Sequence, residues 1–226
     1  MSNKRKHSNN ELVTRAYVAE FRAAEKETEK GVIEGTPIVF NQRTRIYDWA
    51  GEYDEVIERG ALEGADLKDV RLFVNHDSNK IALARSKNGN ENSTMSFDID
   101  DDGLHMRAEL DVENNAEARA LYSAIKRGDM DGMSFAFRIK DDEWRDIDSD
   151  LPTRVIKRIS IVHEVSVVNF PAYQGTSISA RSEGEETPYS ALEEARKAHA
   201  EETARRTNKE LEIEKLKNEN LIKLFK

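Results

Sequence analysis

The chain is predicted to fold as a mainly β domain with flanking helices (α+β), followed by a charged helical tail. Three observations carry this reading. Several segments alternate apolar and polar residues with period two between glycine, proline or acidic turns. The clearest internal helix, Asn115 to Arg127, spaces its apolar residues for one helix face. The composition then shifts: residues 12–170 are rich in Val, Ile, Phe and Leu, whereas residues 181–226 are mostly Glu, Lys, Ala, Arg and Asn. That shift sets a boundary near Ser179 to Thr187. Many short strands in one domain suggest a barrel or a sandwich.

In chain order, residues 1–10 are expected to be disordered. Leu12 to Phe21 and Ile33 to Phe40 read as strands, the second entered through Gly35-Thr36-Pro37. Glu58 to Leu62 reads as a turn into a short helical or irregular segment, and Arg71 to Asn75 as a strand with His76 at its end. Thr94 to Ile99 and Leu104 to Leu110 form a predicted hairpin whose acidic connection ends in Gly103, a turn position suited to positive φ. In the predicted helix Ala118, Leu121, Tyr122 and Ile125 make the apolar stripe. Asn114 or Asn115 can cap its start, and Gly128 stands where a C′ glycine belongs.

Met133 to Ile139 is the most informative strand. Met133, Phe135, Phe137 and Ile139 alternate with Ser134, Ala136 and Arg138, so the strand reads as half-buried with a hydroxyl opposite its large apolar side chains. Arg154 to Val162 and Glu164 to Asn169 follow as strands, and Pro171 ends the last. Residues 187–224 read as a helix without a sustained heptad, so no coiled coil is expected.

The net charge of −9 and pI near 5.2 argue against a broad nucleic-acid surface. Lys4-Arg5-Lys6 is read as a solvated basic tail. The absence of cysteine excludes disulfides, thiolate metal sites and a cysteine nucleophile. No apolar run approaches the length of a membrane span and no signal-peptide core is present, so a soluble protein made in the cytoplasm is expected.

The first candidate constellation is His76, Ser134 and Glu164; the residues alone suit equally a surface strand serine and a satisfied histidine. A serine needs an adjacent base to become a nucleophile. Histidine suits that task because its ordinary pKa of about 6.5 lies near neutrality, and a carboxylate on the far side of the imidazole fixes its tautomer. Read as an alternating strand, residues 161–168 put Glu164 on one side with Val162, Ser166 and Val168, and His163 on the other with Ile161, Val165 and Val167. A carboxylate on such an apolar side requires a partner. The alternative to a catalytic role is a salt bridge with Arg85 or Arg138.

Asp98, Asp100, Asp102, Gly103 and Glu109 match the spacing of an EF-hand calcium loop. Both flanks alternate as strands, however, and His105 occupies a position usually held by a branched apolar residue, so the segment is read as an acidic hairpin turn. The five histidines have no metal-ligand spacing, and there is no phosphate-cradling glycine loop or GxSxG elbow. No metal or cofactor is expected.

Six blocks, in order, resemble the prohead (procapsid maturation) serine proteases of tailed bacteriophages, a family that shares a fold with herpesvirus assemblin. They are Gly35-Thr36-Pro37-Ile38-Val39-Phe40-Asn41, Glu55 to Leu62, Val74-Asn75-His76-Asp77, Asp102-Gly103-Leu104, Arg127 to Phe137, and Glu164 to Ala172. The resemblance implies a closed β-barrel of the herpesvirus-protease type over residues 11–180, with residues 181–226 as the helical tail. It implies Ser134 as nucleophile and His76 as general base. The third member follows as Glu164, with His163 as the rival, because the herpesvirus relatives use a second histidine. Ala136 departs from the glycine usual in the family, and Arg85 is given no catalytic role.

The implied function is cleavage of scaffold and major capsid protein segments, and of the enzyme itself, inside the assembling procapsid in the host cytoplasm. A homodimer is the oligomer that the herpesvirus relatives suggest. The alternative is a scaffolding or coat-interaction protein carrying a protease-like domain. A third reading, a calcium-binding β-domain, would require stabilisation by calcium.

Overall fold

Period-two alternation produces strands across most of the domain. The computed structural model describes residues 12–18, 21–23, 31–48, 51–169 and 188–224. Residues 1–10, Pro171 and the boundary near Ser179 to Thr187 lie outside them. Among the described residues the strands are β1 (Leu12–Val18), β2 (Phe21–Ala23), β3 (Val32–Val39), β4 (Thr44–Asp48), β5 (Gly51–Ile57), β6 (Arg71–Val74), β7 (Ala84–Arg85), β8 (Met95–Ile99), β9 (Gly103–Glu109), β10 (Gly132–Arg145) and β11 (Thr153–Val168). The helices are α1 (Ala116–Arg127) and α2 (Pro188–Leu224). The two strands predicted over residues 154–169 are one, β11.

The expected closed barrel is not formed. Seven strands make one sheet, ordered β1-β10-β11-β5-β4 with β6 and β7 branching from β11, and four make another, β2-β3-β9-β8. Neither sheet closes on itself. The physical reason is a fork at β11. One edge of β11 pairs with β10, and the other takes two parallel partners in tandem. Thr153–Ile156 pair with β5 and Glu164–Val167 with β6. Because β6 leads only to the two-residue β7, the ladder stops there instead of winding round.

The core lies between the two sheets. Ile33, Ile38, Leu104, Met106 and Ala108 come from the smaller one, and Met133, Phe135, Phe137, Ile139, Val165 and Val167 from the larger. Each such side chain contributes about 1.5–3 kcal/mol if fully buried. Helix α1 adds Ala118, Leu121 and Ile125. Its start is capped by the Asn115 side chain, which accepts from the amides of Glu117 and Ala118, and it ends at Gly128 with φ 76°. Strand β10 is covered on both faces rather than one, since Ser134 is as fully buried as Met133 and Phe135.

Gly103 corrects a second expectation. It is not among the residues with positive φ. Glycine is required because a Cβ there would stand 2.0 Å from the Ile38 carbonyl oxygen. Gly103→Ala is therefore expected to lower stability by about 2–3 kcal/mol, since backbone must move to admit the methyl group. Urea unfolding measures this, and an unchanged midpoint would show that β3 and β9 separate freely. The acidic turn is organised by Asp100, whose Oδ1 accepts from the amides of Asp102 (2.8 Å) and Gly103 (3.1 Å).

Strand β1 is tied to β5 by buried charge. Arg15 donates to both carboxylate oxygens of Glu55, at 2.5 and 2.8 Å. Arg154 lies 3.8 Å from the same carboxylate and donates to Asp142 at 2.6 Å. Glu55 and Arg154 are fully buried and Arg15 nearly so. Burial would lower the Arg15 pKa, but the Glu55 carboxylate outweighs it and holds the guanidinium above its ordinary value. At the connection between β10 and β11, α2 docks its first turns. Leu192 is buried, Arg196 donates to the Ile147 carbonyl at 2.8 Å, and His199 meets Asp148 at 3.2 Å. No described helix is long and apolar enough to cross a membrane.

Candidate active site

His76 sits in a tight turn directly after β6. Asn75 and His76 both adopt the left-handed conformation, with φ 52° and 59°. Two consecutive non-glycine residues there persist only where surrounding contacts over-determine them. Those contacts come from the end of β11. The Asn75 amide donates to the Val167 carbonyl at 2.9 Å, the Asn169 amide donates to Asn75 Oδ1 at 3.0 Å, and the His76 amide donates to Ser166 Oγ at 3.2 Å.

The imidazole is engaged as well. His76 Nδ1 lies 2.5 Å from Glu164 Oε1, and Ser166 Oγ donates to Glu164 Oε2 at 2.7 Å. The His76 side chain is 30% exposed and that of Glu164 14%. The pair is thus open to solvent at the histidine and largely shielded at the carboxylate. With Nδ1–H directed to Glu164, a neutral imidazole keeps its lone pair on Nε2.

Ser134 reaches the same face through strand register. Ser134 pairs with Ser166 and Ala136 with Glu164, and residues directly opposite each other share a face of the sheet. The Ser134 hydroxyl is fully buried and donates to the Arg15 carbonyl of β1 at 2.9 Å. In this arrangement it is not hydrogen-bonded to His76. The structure therefore joins His76 to Glu164 and sets Ser134 on their face, with its hydroxyl turned toward β1.

A β-bulge corrects the predicted alternation of β11. The pairing passes from Ala136↔Glu164 to Phe137↔Val162, so β11 uses one residue more than β10. Val162 thereby falls opposite Phe137 and no longer shares the side of Glu164. Bulges of this kind re-aim side chains beside functional sites. The rival His163 lies at the bulge, and its buried Nε2 has no hydrogen-bond partner among the described residues. Arg85 is held by Asp69 at 2.5 and 2.9 Å instead of meeting Glu164.

Burial, and then the charge of Arg138, push the His163 pKa below its ordinary value. As the pH falls below about 6.5 the unfolded chain takes up this proton before the folded one, so folding stability is lost with falling pH. His163→Gln is expected to remove that part of the slope, as read by urea midpoints between pH 7.5 and 5. An identical slope in the variant would remove His163 as its source.

Ser166, Asn75, Arg15 and Glu55 were not singled out by sequence reasoning. Ser166 left one signal, a lone hydroxyl in the run Val165-Ser166-Val167-Val168. Among the described residues no group of three or more metal-ligating side chains is assembled.

The sequence profile of the family described as Caudovirus prohead serine protease matches residues 17–190, more than half of the chain. The chain is 28% identical over 156 residues to a protein named "Prohead protease" from Enterobacteria phage HK97. The aligned region covers 67% of this chain and 60% of that relative. No solved structure matches significantly.

Proposed function

The chain belongs to the caudovirus prohead serine protease family, and from that membership we propose that it is a serine endopeptidase of phage capsid maturation. Its substrates are scaffold and coat-protein segments inside the procapsid, and then the enzyme itself. The observation that carries this reading is the contact of His76 Nδ1 with Glu164 at 2.5 Å on the sheet face that also bears Ser134.

Ser134 Oγ turns about χ1 from the Arg15 carbonyl, giving up one hydrogen bond with a net worth of about 1 kcal/mol. It attacks the scissile carbonyl carbon while His76 Nε2 takes its proton. Glu164 holds the tautomer and stabilises the imidazolium. As the carbon–nitrogen bond breaks, Nε2 returns the proton to the leaving amine. Water, deprotonated by the same nitrogen, then releases the acyl group and regenerates the serine.

An intact-mass time course on the concentrated chain, beside Ser134→Ala, tests the reading. Fragments from the unsubstituted chain alone support it and give the first cleavage sites. The exposed length of α2 favours a second role in binding coat subunits. If both chains stay intact, alone and when co-assembled with coat protein, that scaffolding role is the one to keep.

A further inference from the structure

Ser166 is fully buried on β11, with Val165 and Val167 as its chain neighbours. Its hydroxyl is used twice. It accepts from the backbone amide of His76 at 3.2 Å and donates to Glu164 Oε2 at 2.7 Å. A hydroxyl has one proton to give. The His76 amide is itself a donor, so that proton has one destination here, the carboxylate. Its direction follows from the heavy atoms alone.

The consequence is mechanical. With Oε2 held by Ser166, the Glu164 carboxylate is restrained from rotating, which keeps Oε1 on His76 Nδ1. With its amide held by the same oxygen, the turn carrying His76 keeps its left-handed backbone. We propose that Ser166 is a positioning residue of the hydrolytic reaction, a single hydroxyl that fixes the acid's side chain and the base's main chain together. This rests on the reading of His76 as base and Glu164 as acid. Ser166 is hydrogen-bonded to His76 and Glu164, and it acts through those two residues.

Ser166→Ala removes the hydroxyl without adding an atom, and Ser166→Thr retains it. The first comparison is made in the Ser134→Ala chain, which needs no activity. NMR of the 15N-labelled histidines follows the His76 Nδ1 proton. We expect it to be observed in the parent and in Ser166→Thr, and to exchange with water at least about 10-fold faster in Ser166→Ala, since a bond to a charged acceptor is lost. The second comparison uses the Ser134 chain and a fluorophosphonate probe, whose phosphorus bonds to an activated serine oxygen with loss of fluoride. The labelling rate in Ser166→Ala should fall on the order of 10- to 100-fold, with Ser166→Thr close to the parent.

A His76 signal and a labelling rate within twofold of the parent would overturn the proposal. If Ser166→Thr does not fold, Ser166→Ala against the parent still decides. Absence of labelling in the unsubstituted chain counts against the peptidase reading instead, and the NMR comparison then settles the role of Ser166 by itself.

Discussion

The Ser134→Ala chain is expected to cleave peptide bonds about 10⁴-fold or more slowly than the unsubstituted chain while remaining folded. The alanine keeps the small volume required on a strand buried on both faces. It removes the hydrogen bond to the Arg15 carbonyl, a stability loss of about 1 kcal/mol. The catalytic loss is far larger because the covalent route disappears with the oxygen. His76→Ala should cost a similar factor, and the double variant little more, since nucleophile and base act as a unit. Mass spectrometry of self-cleavage products measures all three. An active Ser134→Ala chain would end the mechanism.

Glu55→Ala is expected to have the largest effect on stability, about 3–5 kcal/mol, because it leaves two guanidinium groups buried without their shared carboxylate. That is a large share of the 5–15 kcal/mol typical of a whole domain. Removing one of the stranded charges as well should recover part of the loss, so Glu55→Met with Arg15→Met is expected to be more stable than Glu55→Ala alone. Urea midpoints decide it. A Glu55→Ala loss below about 1 kcal/mol would mean that water reaches the cluster. The variant also bears on the site, because Arg15 offers the carbonyl that receives the Ser134 hydroxyl.

What was legible in the sequence was the part carried by local pattern. Alternation located β3, β6, β8, β9 and the start of β10, and helix α1 appears with its predicted caps at Asn115 and Gly128. Strands β4 and β5 were not legible. Arg45, Glu52, Asp54 and Glu55 look like loop residues, yet Asp54 and Glu55 are buried because Arg43, Arg45 and Arg15 meet them. A strand whose polar residues are paired only in three dimensions carries no one-dimensional signal.

The same limit explains the barrel. The fork at β11 depends on which strand occupies which half of one edge, and no window of residues records that. At the site, pattern and resemblance named His76, Ser134 and Glu164. The bulge at His163 and the double use of Ser166 depend on register between strands far apart in the chain.

That separation has a consequence for the nascent chain. The bond of Ser134 to Arg15 spans 119 positions, that of Glu164 to His76 spans 88, and that of Ser166 to the His76 amide spans 90. Contacts of such span form late and slowly, because the loop entropy must be overcome before any pairing stabilises them. Of the described strands, β10 and β11 are synthesised last, and they carry Ser134 and Glu164, the proposed nucleophile and acid. On the proposed mechanism a ribosome therefore releases His76 long before Ser134 and Glu164 can meet it, and the chain stays hydrolytically silent until β11 has been made and threaded between β10 and β6.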